Sequence, residues 1–258
     1  MIPHHGQIMI SKKQVSLIRS LRQKKNRLSS GLFICEGVKT VHEVLTSDFS
    51  VVAVFGTREW STLYSGLVKP PATFHLVTDD ELARISALKA AHQVLALVRI
   101  PAYTFEAAVL EREIVIGLDN IQDPGNLGTI IRLADWFNIN HILCSESTAD
   151  PFNPKVVQAT MGSITRVQIH SVNLEQLLTG HPGISVIATG NNGTDISRAP
   201  LPDHGLILFG NEASGISEHL MSKVKDRIFI PACSPNPAVD SINVSMAVAI
   251  VLYELRRR

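Results

Sequence analysis

Apolar positions fall in short runs separated by polar segments, and these runs alternate with stretches of helical period. Val15, Ile18, Leu21 and Leu28 form an apolar stripe ringed by cations, which predicts a first helix over Ser11–Leu28, broken at Gly31. Leu32–Cys35 reads as a short strand closed by Gly37, and Val38–Leu45 as the next helix. Strands are expected at Val51–Phe55, Phe74–Val77 and Val94–Ile100, with Thr78 and Glu81 at capping-box spacing for a helix through Ile85. That alternation predicts a small α/β sandwich over residues 1–102. Residues 103–112 read as a linker, in which Phe105–Leu110 has the pattern of a helical turn.

From residue 113 to 258 the alternation resumes. Strands are expected at Ile114–Leu118, His141–Cys144, Thr165–His170, Ser185–Thr189, Leu206–Phe209 and Ile228–Ile230. Helices are expected at Thr129–Phe137, Asn153–Thr160, Leu174–Leu178 and Ser241–Arg256. Strands as apolar as Leu206–Phe209 are buried on both sides, so this half predicts an α/β domain with a mostly parallel sheet covered by helices on both faces.

Composition changes the picture only once it is divided. Hydrophobic residues make up 45% of the 258, enough for substantial cores and too many for a disordered chain. The net charge of +1 separates into +5 over residues 1–110 and −4 over 111–258. Most of the excess lies between Ser11 and Thr40, where eight Lys/Arg face Glu36 alone. Such a cluster marks a surface that meets a polyanion, or else the solvated side of an amphipathic helix. Its candidate contacts are Lys12, Lys13, Arg22, Lys24, Lys25 and Arg27. The three cysteines are odd in number and far apart, and no CxxC occurs. That pattern indicates neither a disulfide framework nor a zinc site, and it fits packing roles in a reducing compartment. The opening MIPHHGQIMISKK lacks the apolar core of a signal peptide, and no run is long enough to span a bilayer, so the expectation is a cytoplasmic protein.

Candidate chemistry sits in three loops. After the strand at Ile114–Leu118, Asp119-Asn120 and Asp123-Pro124-Gly125 force a turn into a helix, with Asn126 near its start as a capping residue. Arg132, about one turn in, is either a solvated arginine or a forked grip on phosphate or carboxylate. Leu206–Phe209 runs into Gly210-Asn211-Glu212-Ala213-Ser214-Gly215, where backbone can approach a ligand and Glu212 offers a carboxylate. Glu212 equally suits a charge favoured by a helix dipole. This is not a P-loop, because Ile216-Ser217 replace Lys-Ser/Thr, and no GxGxxG occurs. Ser241-Ile242-Asn243-Val244-Ser245 opens the last helix, as caps or as donors and acceptors in a cleft.

Taken in order, Asp123–Arg132, Gly210–Gly215 and Ser241–Ser245 closely resemble the three motifs of the SpoU (TrmH-type) RNA methyltransferases. Asn153–Arg166 resembles the segment between the first two motifs. Residues 11–100 resemble the ribosomal-protein-like RNA-binding domain often placed in front, best at Leu32–Gly37. The resemblance implies an α/β domain with a C-terminal trefoil knot, homodimeric through that domain, which transfers methyl from S-adenosylmethionine to a ribose 2′-hydroxyl of RNA. It puts the cofactor against Gly210, Ile230 and Ile242, with Thr189 and Asn243. It assembles the reacting site from Asn126, Arg132, Glu212, Asn243 and Ser245. For Arg132 it implies a base for the 2′-OH proton; a guanidinium holds its own proton, so gripping the substrate ranks ahead of that role. The basic N-terminal domain favours ribosomal RNA over transfer RNA. A non-catalytic RNA-binding protein of the same fold is the alternative, and a small-molecule nucleotide enzyme lacks the phosphate motif it would need. Two departures stand out: the stretch from Pro231 to Ser241 is three residues longer than the usual loop and lacks its glycine, and Ala90–Gln93 replaces a Thr-Pro-rich turn.

Overall fold

The computed structural model describes residues 10–88, 92–234 and 241–257. The expectations attached to Met1–Met9, to Ala90-Ala91 and to Pro235–Asp240 lie outside them. The chain forms two compact units, one of residues up to Ala102 with Asp150–Thr165, the other of Tyr103–Ala149 with Arg166–Arg258.

In the first unit the expected single helix is two, α1 (Lys12–Ser20) and α2 (Lys24–Ser30). The break has a side-chain cause. Asn26 Nδ2 donates to the Ser20 carbonyl at 2.9 Å and Arg27 Nη1 to the Leu21 carbonyl at 2.6 Å, so side chains from the next turn satisfy the end of α1. Ser11 and Gln14 close a capping box at its start. Val15, Ile18 and Leu21 are buried, whereas Leu28, counted in the apolar stripe, is exposed. Gly31, at φ +65°, ends α2.

Then come β1 (Leu32–Glu36), α3 (Val38–Leu45), β2 (Val51–Gly56), α4 (Arg58–Tyr64), β3 (Thr73–Leu76), α5 (Asp79–Ile85) and β4 (Val94–Arg99). The four-stranded sheet has the order β1-β4-β2-β3, with β2 and β3 parallel and the other pairs antiparallel. α4 has no counterpart in the sequence pattern; Thr57 caps it and Trp60 is its buried residue.

The second unit starts with a 3-10 turn at Ala107–Glu111, inside the linker, followed by β5 (Ile114–Leu118), α6 (Pro124–Trp136) and β6 (His141–Cys144). The chain then supplies α7 (Pro154–Thr160) to the first unit, where Phe152 packs on Phe33 with ring centroids 4.9 Å apart. It continues through β7 (Gln168–Ser171), α8 (Leu174–Gly180), β8 (Val186–Gly190), β9 (Thr194–Asp195), β10 (Gly205–Phe209), α9 (Glu218–Met221), β11 (Asp226–Phe229) and α10 (Val244–Arg257). The seven-stranded sheet has the order β7-β6-β5-β10-β8-β11-β9, and every pairing in it is parallel, as the apolar strands predict. No helix among the described residues is long and apolar enough to cross a membrane.

Candidate active site

β5 and β10 are neighbours in the middle of the parallel sheet, so the loops leaving their carboxyl ends adjoin. Side chains stitch them together. Buried Asp119 accepts the Ser217 N–H at 2.8 Å, and Asn211 Nδ2 donates to the Asn120 carbonyl at 2.9 Å. Asn211 and Gly215 exchange backbone hydrogen bonds of 3.0 and 2.8 Å, which closes the loop on itself. A Cβ at Gly210 would overlap the peptide between Gly215 and Ile216, so the close approach requires glycine.

At the start of α6 the cap is Asp123, whose Oδ1 accepts the Asn126 N–H at 2.8 Å ahead of Pro124. The expectation that Asn126 caps this helix is therefore corrected, and its amide is released for other contacts. Asn126 Nδ2 donates to Glu212 Oε1, and Asn126 Oδ1 accepts from Asn243 Nδ2 at 3.0 Å. Asn243 Oδ1 in turn accepts from Ser245 Oγ at 2.6 Å and from the Ser245 N–H at 2.9 Å. Opposite ends of one amide thus serve both roles read at this loop, capping α10 and joining a cleft. The polar chain runs from Ser245 through Asn243 and Asn126 to Glu212, with each donor aimed toward the carboxylate. Glu212 lies well ahead of α9, so no following helix dipole accounts for it.

Beside this chain is a cavity of about 540 Å³, the size of a small-molecule site. Gly210, Glu212, Thr189, Ile230 and Ile242 line it, together with Gly190 and Asn191, which sequence reading missed. Asn243 is not in the lining; it stands in the polar chain next to Ile242 and Val244, which are. Phe209, Ile228, Val244 and Val251 give apolar walls, and the loop after β10 gives a polar rim. Thr189 Oγ1 bonds the Leu208 carbonyl at 2.9 Å, tying β8 to β10 below the opening. A Cβ on Gly190 would meet nothing within 4 Å, so the backbone there borders open space. Apolar walls beside a polar rim suit a nucleoside with a polar tail.

Residues 113–253 match the SpoU rRNA Methylase family, and residues 12–96 match the MRM3-like substrate binding domain. The chain belongs to the SpoU rRNA methylase family. Among relatives of this SpoU member, a Bacillus subtilis protein named 23S rRNA (guanosine(2553)-2'-O)-methyltransferase RlmP is 28% identical over 244 residues, 92% of this chain and 94% of that protein. The structure of a putative RNA methyltransferase of the TrmH family from Porphyromonas gingivalis is 35% identical, with a TM-score of 0.88 over 97% of this chain and 99% of that one. An AdoMet-bound rRNA methyltransferase from Sinorhizobium meliloti is 26% identical, with a TM-score of 0.83 over 95% of each chain.

The remaining site candidates of this SpoU member separate by environment. Arg132 is exposed on α6, outside the polar chain, and makes no ion pair or hydrogen bond among the described residues. Exposed Trp136 follows one turn later. Lys12, Lys13, Lys24 and Lys25 are exposed, and exposed Arg22 donates to the Ser86 carbonyl. Arg27 is different. It is 1% exposed, and its Nε and Nη2 hold Asp150 while Nη1 holds Leu21, so it is corrected from an RNA contact to an internal ion pair. The signal that failed was charge clustering, which cannot reveal a partner 123 residues away.

Proposed function

We propose that this protein methylates a ribose 2′-hydroxyl of ribosomal RNA, with S-adenosylmethionine as the methyl donor. One observation carries the reading: polar side chains from three separate loops join in one hydrogen-bonded chain at the rim of a nucleoside-sized cavity. The named activity of the B. subtilis relative and the ligand of the S. meliloti structure support it. In the cavity, Gly210, Thr189, Ile230 and Ile242 would hold the cofactor, with Asn243 close by. Bound there, the cofactor supplies a methyl on a positively charged sulfur, already activated for transfer.

The protein's part is alignment and the handling of one proton. Glu212 fixes the Asn126 amide, and Asn243 and Ser245 fix it from the other side, so the acceptor ribose meets a preorganised polar edge. Arg132, whose donors have no partner among the described residues, grips the substrate phosphate and ribose. The exposed cations of α1 and α2 contribute sequence-independent affinity for RNA, and this basic unit favours ribosomal over transfer RNA.

The same reading includes the trefoil knot, a location in the cytoplasm and a homodimer formed through the C-terminal domain. Free Cys35, Cys144 and Cys233 fit a reducing compartment. Met246, Ile250 and Tyr253 form an exposed apolar stripe on α10, and exposed Trp136 lies on α6, against which α10 packs; both fit a subunit interface. The test is transfer of tritiated methyl to deproteinised ribosomal RNA, followed by alkaline hydrolysis. Label in alkali-resistant dinucleotides is expected, because a 2′-O-methyl blocks cleavage. Label in mononucleotides, in transfer RNA alone, or nowhere would refute the assignment.

A further inference from the structure

We propose that the hollow between α1 and α5 seats the phosphate backbone of the RNA substrate, an inference that rests on the protein acting on RNA. The hollow is lined by Lys12, Val15, Ser16, Arg19, Ser20 and Arg84, and holds about 470 Å³. None of the lining residues is acidic. All three cations are exposed, and none has an ion pair or hydrogen bond among the described residues. Like charges facing one hollow repel one another, and an anion from outside relieves this.

Helix polarity gives an independent reason. α5 obeys the macrodipole, with Asp79, Asp80 and Glu81 in its first turn and Arg84 in its last. α1 breaks the rule, opening on Lys12-Lys13 with no acid in the first turn. Inside the fold that end is met by the Ser11–Gln14 capping box and by Glu81, whose Oε1 accepts the Ile10 N–H at 3.2 Å, while the Lys12 ammonium has no partner among the described residues. Arg19 sits in the last turn of α1, where the dipole welcomes it, so Lys12 is the telling residue. Lys12 and Arg19 are seven residues apart on one face, about 10 Å along the axis, so the cations reach more than one phosphate. That spacing selects a polyanion over a single ion.

A second hollow shares Arg84 and adds Arg58, but Glu59, Asp79 and Glu81 also line it. Those carboxylates repel phosphate and confine the seat to the side of α1. Ser16 offers a hydroxyl donor between the cations, whereas the Ser20 Oγ proton is already given to the Leu17 carbonyl at 2.7 Å, so Ser20 only lines the wall.

The test uses the full chain, because Asp150–Thr165 packs within the first unit and deleting that unit would strip it. Binding of deproteinised ribosomal RNA is measured across a salt series for the Arg19→Ala/Arg84→Ala double variant, with S-adenosylmethionine binding followed by calorimetry. Two lost phosphate contacts should flatten the slope of log affinity against log salt by about 1.4 and leave cofactor affinity unchanged. Arg19→Lys/Arg84→Lys should keep the slope, and Lys69→Ala, an exposed cation of the same unit outside the hollow, should leave it alone. An unchanged slope in the alanine variant overturns the proposal, as does an equal loss in the lysine variant, which keeps the charge. Displacement of the RNA by inorganic phosphate at constant ionic strength would mean a single-ion site and overturns it too. If the wild-type protein binds no RNA at any salt, the RNA reading itself falls and the seat with it.

Discussion

Two of the polar clusters among the described residues serve opposite ends. In the first unit, Arg27 meets Asp150 and the Leu21 carbonyl out of reach of solvent, and every contact it makes is inside the fold. In the second, Ser245, Asn243, Asn126 and Glu212 link loop to loop at the edge of an open cavity, while Arg132 nearby on α6 has no partner among the described residues. A guanidinium whose donors are used internally is a structural tie. One whose donors face solvent is free to meet a ligand. Charge alone does not separate the two cases; burial and partner do.

The largest expected effect lies in the buried cluster. Arg27→Ala should cost about 3–5 kcal/mol of stability, because it strands the Asp150 carboxylate, and denaturant unfolding measures it. Replacing both partners by apolar residues, Arg27→Met with Asp150→Leu, should recover most of that loss. In the open cluster the sign of the contrast reverses. Asn126→Ala should lower the turnover rate roughly 100-fold through misalignment, with stability within about 0.5 kcal/mol of the parent. A stability loss as large as that of Arg27→Ala would erase the distinction between the clusters.

Arg132→Lys is the smaller and sharper probe. It keeps the charge and removes the fork, and it should raise KM about 10-fold with kcat nearly unchanged. Near-normal activity throughout would mean that fork geometry is unnecessary, whereas a collapse of kcat at constant KM would return the proton-accepting role to this residue.

A third polar group marks the quiet end of this range. His170 lies among Tyr103, Phe105 and His141, 3.2 Å from the His141 ring and with no partner for its Nδ1 among the described residues. Burial first, and the neighbouring His141 second, hold its pKa down to about 4, from 6.5. The unfolded chain therefore takes up this proton before the folded one, so stability is lost as pH falls from 6.5 toward 4. Urea midpoints across that interval should decline with acidification, and His170→Phe should flatten the decline.

Much of this was legible in the residues because the signals were local. The turn chemistry of Asp123-Pro124-Gly125 and of Gly210–Gly215 specified loops at strand ends, and apolar strands specified a parallel sheet, so the site could be assembled on paper. What was missed depended on distant partners. Asn126 looked like a cap until Asp123 took that position. The division of the first helix needed Asn26 and Arg27 to turn back on α1. α4 has one buried apolar residue, Trp60, and so no period to read. Asp119 read only as a turn residue, and nothing paired it with Ser217, since their contact bridges 98 residues.

The central claim is that side chains from three loops act as one unit on the reacting ribose. A double-mutant cycle on the rate of methyl transfer tests it most directly, with Asn126→Ala, Glu212→Ala and the two combined. The account predicts that the double variant is little slower than either single one, because breaking the chain once already disorders it. Fully additive losses would mean that the two residues act separately, and would contradict it.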